Sequence, residues 1–272
     1  MELNTIQLKK LKEDGIIKIN SFLSPEETKN IMNIINPFIG SKGDLTSYFS
    51  VNFKQNLLKV IKFEFQKILA SIKLNKIAKI KKMCDFANMA FEKESYLQMI
   101  DCYSSPISEL EVLPWHIDQA YRNRLSINDD EIFHPDSCSI KFFIYLTNVG
   151  TNNGCTSYIP GTHKITHALR VGLKEKKIKY MPHWSLQDLR KFIQHKSNFP
   201  FFTQYFGNNY LINEFLEKTS FIDKNTETTE FDFNMKPGDA IIFNEGGVHK
   251  GSKTLYSERK VLRYHYRIKN II

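Results

Sequence analysis

Cysteine is sparse in this chain. Cys84, Cys102, Cys138 and Cys155 are four in 272 residues, and no two form a CxxC pair. That pattern excludes a disulfide-framed scaffold and reads as reduced intracellular thiols. No apolar run approaches the length of a membrane span, and the segment from Met1 to Gly15 holds no apolar stretch of the secretory kind. The expectation is a cytoplasmic protein with no membrane span. Internal repeats, low-complexity tracts and linkers are also missing, so one domain over residues 1–272 is expected.

Arginine is scarce too, with seven residues against 31 lysines. Where lysine is the default cation, an arginine marks a need for a planar, bidentate donor. Three of the seven, Arg259, Arg263 and Arg267, fall in the last 14 residues. The net charge is +9, which raises the question of a nucleic-acid partner. The basic residues are dispersed, and dispersed lysine gives a solvated face more often than a binding stripe. The densest tract, Lys73 to Lys82, reads as an amphipathic surface segment. Nucleic acid is therefore disfavoured as a partner, although positive charge can still attract an anionic small molecule.

Hydrophobic content of 42% and charged content of 25% suit a globular fold with a buried core. Ser24-Pro25-Glu26-Glu27 offers an N-cap serine, proline at the first helical position and glutamate at N3, predicting a helix to about Ile35. Leu57, Leu58, Ile61, Phe65, Ile68, Leu69 and Ile72 recur at helical spacing, as a core-facing stripe would. Strands are predicted for 95–103, around His116–Asp118, and for Cys138–Thr147. Asn153-Gly154 signals a type I′ hairpin, with a return strand over Cys155–Ile159. Lys236-Pro237-Gly238-Asp239 reads as a turn before a buried strand, Ala240–Phe243. Helices are expected from Ser185 and over Tyr210–Glu217, inside an insert at about 165–230 long enough to be a lid or binding loop. The fold expected is mainly β with flanking helices. A helical part at about 1–90 precedes a two-sheet jelly-roll core at about 95–268, which carries the helical insert.

The chemistry concentrates in two places. In Pro114-Trp115-His116-Ile117-Asp118, side chains at i and i+2 of a strand share a face, so an imidazole and a carboxylate can aim at one point. His249, after Gly246-Gly247-Val248, can add a second imidazole from a distant strand. Two histidines and one carboxylate form a facial triad that leaves positions open on iron(II). Arg259 follows His249 by ten residues. A guanidinium at that remove suits a ligand that chelates metal at one end and carries a carboxylate at the other.

These residues carry a family resemblance. The triad, Asn152-Asn153-Gly154-Cys155 with Ile159-Pro160-Gly161-Thr162-His163-Lys164, and Glu13-Asp14-Gly15-Ile16-Ile17 with Phe22-Leu23-Ser24-Pro25 together resemble the phytanoyl-CoA dioxygenase family of iron(II)/2-oxoglutarate oxygenases. The resemblance spans roughly residues 7–268 and is poor at about 165–230. It implies a double-stranded β-helix (a cupin-like jelly roll), Fe(II) as cofactor, and 2-oxoglutarate and O2 as co-substrates. It also implies hydroxylation of a small molecule with release of succinate and CO2. His116, Asp118 and His249 would hold the metal. Arg259 would bind the far carboxylate of 2-oxoglutarate in preference to Arg263, which shares its face. Met99, Phe143 and Ser252 match co-substrate pocket positions, with Phe143 standing where tryptophan is more usual. The intact Asp118 favours oxygen transfer, since related halogenases lack that carboxylate.

Other readings compete. A nucleic-acid demethylase of the same chemistry would suit the charge, but it resembles a pattern with a second arginine six residues after the first, where this chain has His265. A cupin-like metal-binding isomerase or binding protein is a further alternative. His163 reads as a structural turn residue rather than a fourth ligand. Gln119, Tyr121, Arg122 and Arg124 follow the first ligands directly. They are expected to border the pocket and to meet an anionic or thioester-linked substrate.

Overall fold

The computed structural model describes residues 4–39, 46–48, 63–118 and 134–269. Its first elements follow the local signals. Helix α1 (Thr5–Asp14) starts from an Asn4 capping box and stops where Gly15 takes φ 79°. Strand β1 (Ile16–Ile19) leads to α2 (Pro25–Ile35). There Ser24 N donates to Glu27 Oε2 at 2.7 Å, and Glu27 N donates back to Ser24 Oγ at 3.1 Å. Strand β2 (Thr46–Tyr48), α3 (Phe63–Ile80) and α4 (Met83–Phe91) complete the N-terminal part.

The stripe expected at 55–72 needs correction. Leu57, Leu58 and Ile61 lie outside the described residues, while Leu69 and Ile72 are 43% and 61% exposed. The buried face of α3 is Ala70, Leu74 and Ala78. Periodicity identifies a helix but not which of two adjoining stripes meets the sheet. Here the stripe with two alanines, which allows close approach, is the buried one. Lys73, Lys76 and Lys79 lie outward, as expected of an amphipathic segment.

Eight further strands follow: β3 (Ser95–Ser105), β4 (Leu113–His116), β5 (Ile140–Tyr145), β6 (Thr156–Tyr158), β7 (Asp232–Phe233), β8 (Ala240–Asn244), β9 (His249–Gly251) and β10 (Arg259–Ile268). They form two antiparallel sheets, β1-β8-β5-β10-β3-β2 and β4-β9-β6-β7. Alternation along the larger sheet divides its side chains. Ile100, Cys102, Phe142, Ile144, Ile242, Leu262 and Tyr264 pack with Phe22, Ile31, Leu74 and Phe86 beneath the N-terminal helices. Their neighbours Phe143, Tyr145, Ile241, Phe243 and Val261 point the other way and meet Tyr158 and Cys155 of the smaller sheet's side. This is the two-sheet jelly roll.

The predicted hairpin is present, but shifted. Asn153 N donates to Gly150 O at 2.8 Å, and Gly150 N donates to Asn153 O at 3.3 Å, so the loop residues are Thr151 and Asn152. Positive φ falls on Asn152 (58°) and Gly154 (75°) rather than on Asn153 and Gly154. The flanking strands do not pair with each other. β5 pairs with β8 and β10, whereas β6 pairs with β7 and β9. The turn is where the chain crosses between sheets. The 236–239 turn forms as predicted, with Gly238 at φ 91° and Asp239 N donating to Lys236 O at 3.0 Å.

The insert is a helical layer. It comprises α5 (Thr162–Lys174), α6 (Leu186–Gln194, capped by Ser185), α7 (Phe199–Phe206) and α8 (Tyr210–Lys218). These helices share a buried core with Trp115, Ile117, Ile159 and Val248. Arg190 fastens α6 to α8 by donating to Leu216 O at 2.6 Å and pairing with Asp223. Among the described residues, no helix is long and apolar enough to cross a membrane.

Candidate metal centre

The smaller sheet brings the two histidines together. In the β4–β9 ladder His116 lies opposite His249, and their ring centroids are 4.4 Å apart. Asp118 is not on the strand as predicted, because β4 ends at His116. The chain leaves the ladder there. Ile117 N donates to Trp184 O at 3.0 Å and Asp118 N to Glu245 O at 3.3 Å. Those bonds turn Asp118 back toward the histidines. His116 Nε2 is 3.5 Å from Asp118 Oδ1, and His249 Nε2 is 3.4 Å from Oδ2. One ligand atom from each of the three residues lies within 4.8 Å of the others.

Both imidazoles are held in one tautomer. His116 Nδ1 is 2.6 Å from Pro114 O, and His249 Nδ1 is 2.8 Å from Gly247 O. A carbonyl only accepts, so each Nδ1 carries a proton and each ring is turned with Nε2 toward the centre. Trp184 of the insert stacks on His116 at 5.2 Å and 28°, and Tyr158 lies nearly parallel to His249 at 6.3 Å and 18°. Burial and the neighbouring His116 hold His249 below the ordinary histidine range, which outweighs Asp118 and favours the neutral ligand form. Burial pushes the Asp118 carboxyl up, but Lys141, His249 and His116 outweigh it and keep it well below the usual carboxylate range.

Lys141 is the residue that sequence reasoning missed. It lies in the middle of β5, where all six residues are buried. Its ammonium is 2.5 Å from Asp118 Oδ2 and 3.0 Å from Glu245 Oε2. Burial pushes its pKa down, and the two carboxylates more than reverse that. Glu245, buried and pushed up by burial, is held down by Lys141. The available signal was a lone cation inside an apolar strand, which needs partners when buried.

Arg259 opens β10 on the same inner face. It is 4% exposed. One Nη donates to Thr156 Oγ1 at 3.3 Å, and Tyr145 Oη donates to the same oxygen at 2.6 Å. Arg259 Nε is buried without a hydrogen-bond partner, and among the described residues no carboxylate pairs with the guanidinium. Arg263 differs. Its Nε and Nη2 each donate to Asp101 at 2.6 Å, and the guanidinium sits over the rings of Tyr103 and Phe143. Phe143 therefore lies beside Arg263, packed edge-on against Phe243, whose ring is 5.3 Å from His249. Met99, partly buried, pairs in register with His265, at the end of β10 away from Arg259. Ser252 is buried against Cys155, Oγ to Sγ 3.3 Å. His163 stays apart, its Nε2 3.2 Å from Lys12 O, joining α5 to α1. Gln119, Tyr121, Arg122 and Arg124 lie outside the described residues.

Residues 11–257 match the model of the phytanoyl-CoA dioxygenase (PhyH) family. The chain belongs to that family. No curated protein sequence matches it significantly. Among solved structures, HygX from Streptomyces hygroscopicus with nickel and 2-oxoglutarate bound is 14% identical. That alignment covers 98% of this chain and 87% of HygX at a TM-score of 0.57. SnoK, a non-heme alpha ketoglutarate dependent carbocyclase from nogalamycin biosynthesis, is 13% identical over 98% of this chain and 84% of its own, with a TM-score of 0.54. SnoN, an epimerase solved with Fe3+, alpha ketoglutarate and nogalamycin RO, is 12% identical over 96% and 82%, with a TM-score of 0.55. At these identities the likeness establishes a shared fold, the jelly roll described above.

In this family member the Gly-Gly pair before His249 has a steric reason. A Cβ on Gly247 would lie 1.9 Å from Tyr158 Oη, which is itself bonded to Asn244 O at 3.1 Å in a fully buried ring. Gly247→Ala should therefore cost about 1–3 kcal/mol of stability, the range for overpacking a filled site. It should also loosen metal binding by displacing the carbonyl that holds His249. Thermal melts with and without cobalt(II) check this, and an unchanged Gly247→Ala melt would show that Tyr158 yields freely.

Proposed function

We propose that this family member is a non-haem iron(II), 2-oxoglutarate-dependent dioxygenase that hydroxylates a small molecule and releases succinate and CO2. The observation that carries the reading is a pairing of two features on the two sheets. The smaller sheet's histidines with Asp118 present three preset ligand atoms, and the larger sheet carries a buried guanidinium with an unpartnered Nε. A cupin-like isomerase would need the first but has no use for the second. An unpaired buried donor is costly, and a dicarboxylate anchored at the metal would relieve that cost. When bound, iron supplies the electrons and open coordination positions for dioxygen chemistry.

The chain's own residues do the rest. His116 and His249 offer their Nε2 atoms, and Asp118 offers a charged oxygen. Arg259, braced by Thr156, meets the far carboxylate of 2-oxoglutarate, with Tyr145 steadying that threonine. Phe143 and Phe243 of the larger sheet and Tyr158 of the smaller keep the space between the sheets apolar and exclude water. Met99 and Ser252 are retained as co-substrate contacts in this proposal, and Gln119, Tyr121, Arg122 and Arg124 as substrate contacts for an anionic or thioester-linked group. The whole of residues 1–272 is read as one oxygenase domain. Hydroxylation is preferred because the carboxylate ligand is intact, although the carbocyclase SnoK and the epimerase SnoN share the fold.

The test is an assay of succinate formation by the full chain with iron(II), 2-oxoglutarate and dioxygen across a metabolite library. Substrate-dependent succinate and a product heavier by one oxygen atom are expected. Failure to bind either metal or 2-oxoglutarate would overturn the reading.

A further inference from the structure

The two oxygens of Asp118 are treated differently. Oδ1 faces His116 Nε2 at 3.5 Å and has no other partner among the described residues. Oδ2 faces His249 Nε2 at 3.4 Å and is, in addition, 2.5 Å from the Lys141 ammonium. Lys141 is held from its other side by Glu245 Oε2 at 3.0 Å, and Glu245 Oε1 accepts from Ser139 N at 2.7 Å. Asp118 N in turn donates to Glu245 O at 3.3 Å. The lysine is thus fixed on both sides and cannot swing away from the carboxylate without abandoning a buried anion.

Burying this ion pair is an expensive way to stabilise a sheet, since apolar residues of similar volume do as well or better. A role toward the ligand accounts for it. A facial triad keeps three positions open only while its carboxylate occupies one. A free carboxylate can supply both oxygens to a cation and so fill a position that a chelating co-substrate needs. We infer that Lys141 is a positioning residue that reserves Oδ2 of Asp118, so that the carboxylate offers a metal ion a single oxygen. The inference rests on the metal-site reading above.

Cobalt(II) is a suitable probe, because its visible spectrum reports coordination number and it can be titrated without turnover. The full chain, Lys141→Met and Lys141→Arg would be loaded with cobalt(II) and titrated with 2-oxoglutarate, with thermal melts to confirm folding. Lys141→Met should still bind cobalt(II), but with an altered visible spectrum. Its 2-oxoglutarate affinity should fall, on the scale of the roughly 10- to 100-fold losses in metal affinity or activity that follow removal of an outer partner of a metal ligand. Lys141→Arg, still able to bridge both carboxylates, should restore both readouts. If Lys141→Met does not fold, Lys141→Gln carries the same expectation, because its amide stops short of Asp118. An unchanged spectrum in the methionine or glutamine variant overturns the inference, whether or not affinities fall, since general damage to the site would weaken binding without changing coordination. If the unmodified chain binds neither cobalt(II) nor 2-oxoglutarate, the metal-site reading itself fails, and this inference with it.

Discussion

Arg259→Ala is expected to weaken 2-oxoglutarate binding to the metal-loaded protein severely while leaving the fold intact. Arg263→Ala is expected to do the reverse. Losing the charged partner of a buried carboxylate costs about 2–5 kcal/mol, or roughly 30- to 5,000-fold in affinity. Arg259 has that capacity to lose, because among the described residues no carboxylate pairs with its guanidinium, which meets Thr156 and the Tyr145 ring and leaves Nε unpartnered. Arg263 already commits its Nε and Nη2 to Asp101, which is 1% exposed. Removing Arg263 strands that carboxylate, and breaking a buried pair in this way costs about 3–5 kcal/mol of stability. His265 Nε2, 3.7 Å from the same carboxylate, should recover part of it. Calorimetric titration of 2-oxoglutarate and thermal melts separate the two outcomes. Equal loss of 2-oxoglutarate affinity in both variants would show that the co-substrate reaches Arg263 instead.

The second large effect is expected at Asp118. Asp118→Ala should abolish measurable succinate formation and tight metal binding, yet melt near the unmodified protein. The reason for the small structural effect is Glu245, which remains 3.0 Å from the Lys141 ammonium and keeps that buried charge paired. Asp118 itself is 27% exposed at its side chain, so little packing is lost with it. Metal titration and circular dichroism of the same sample check both halves. Retained metal affinity in Asp118→Ala would mean that the two histidines bind elsewhere or with another partner.

What the sequence made legible follows the range of each signal. Caps and tight turns are local, so Ser24-Pro25 and Pro237-Gly238 placed their elements correctly. His116, His249 and Arg259 lie on strands as read, whereas Asp118 lies past the end of β4 and approaches the histidines through loop bonds that its spacing did not show. Partnership across sheets is not local. Asn153-Gly154 looked like a hairpin, and nothing nearby announced that β5 and β6 would join different sheets. In the same way the lysine in Ile140-Lys141-Phe142 was visible, but its partners Asp118 and Glu245 lie 23 and 104 positions away. Leu69 and Ile72 of the stripe at 55–72 miss the core for a different reason, since two helical faces satisfied one period and tertiary packing chose between them.

The position of β10 sets an order of events in chain assembly. This strand follows both β3 and β5 in sequence, yet it lies between them, bonded to both. The two strands that support the site's inner wall therefore have no direct pairing to bring them together. A nascent chain ending before Arg259 would expose facing edges of β3 and β5, a template for pairing with other chains. The wall that carries Lys141 and Phe143 can close only when the last strand slides between them. Non-local closure of that kind is slow, so newly made chains should depend on folding assistance longer than the early helices would suggest.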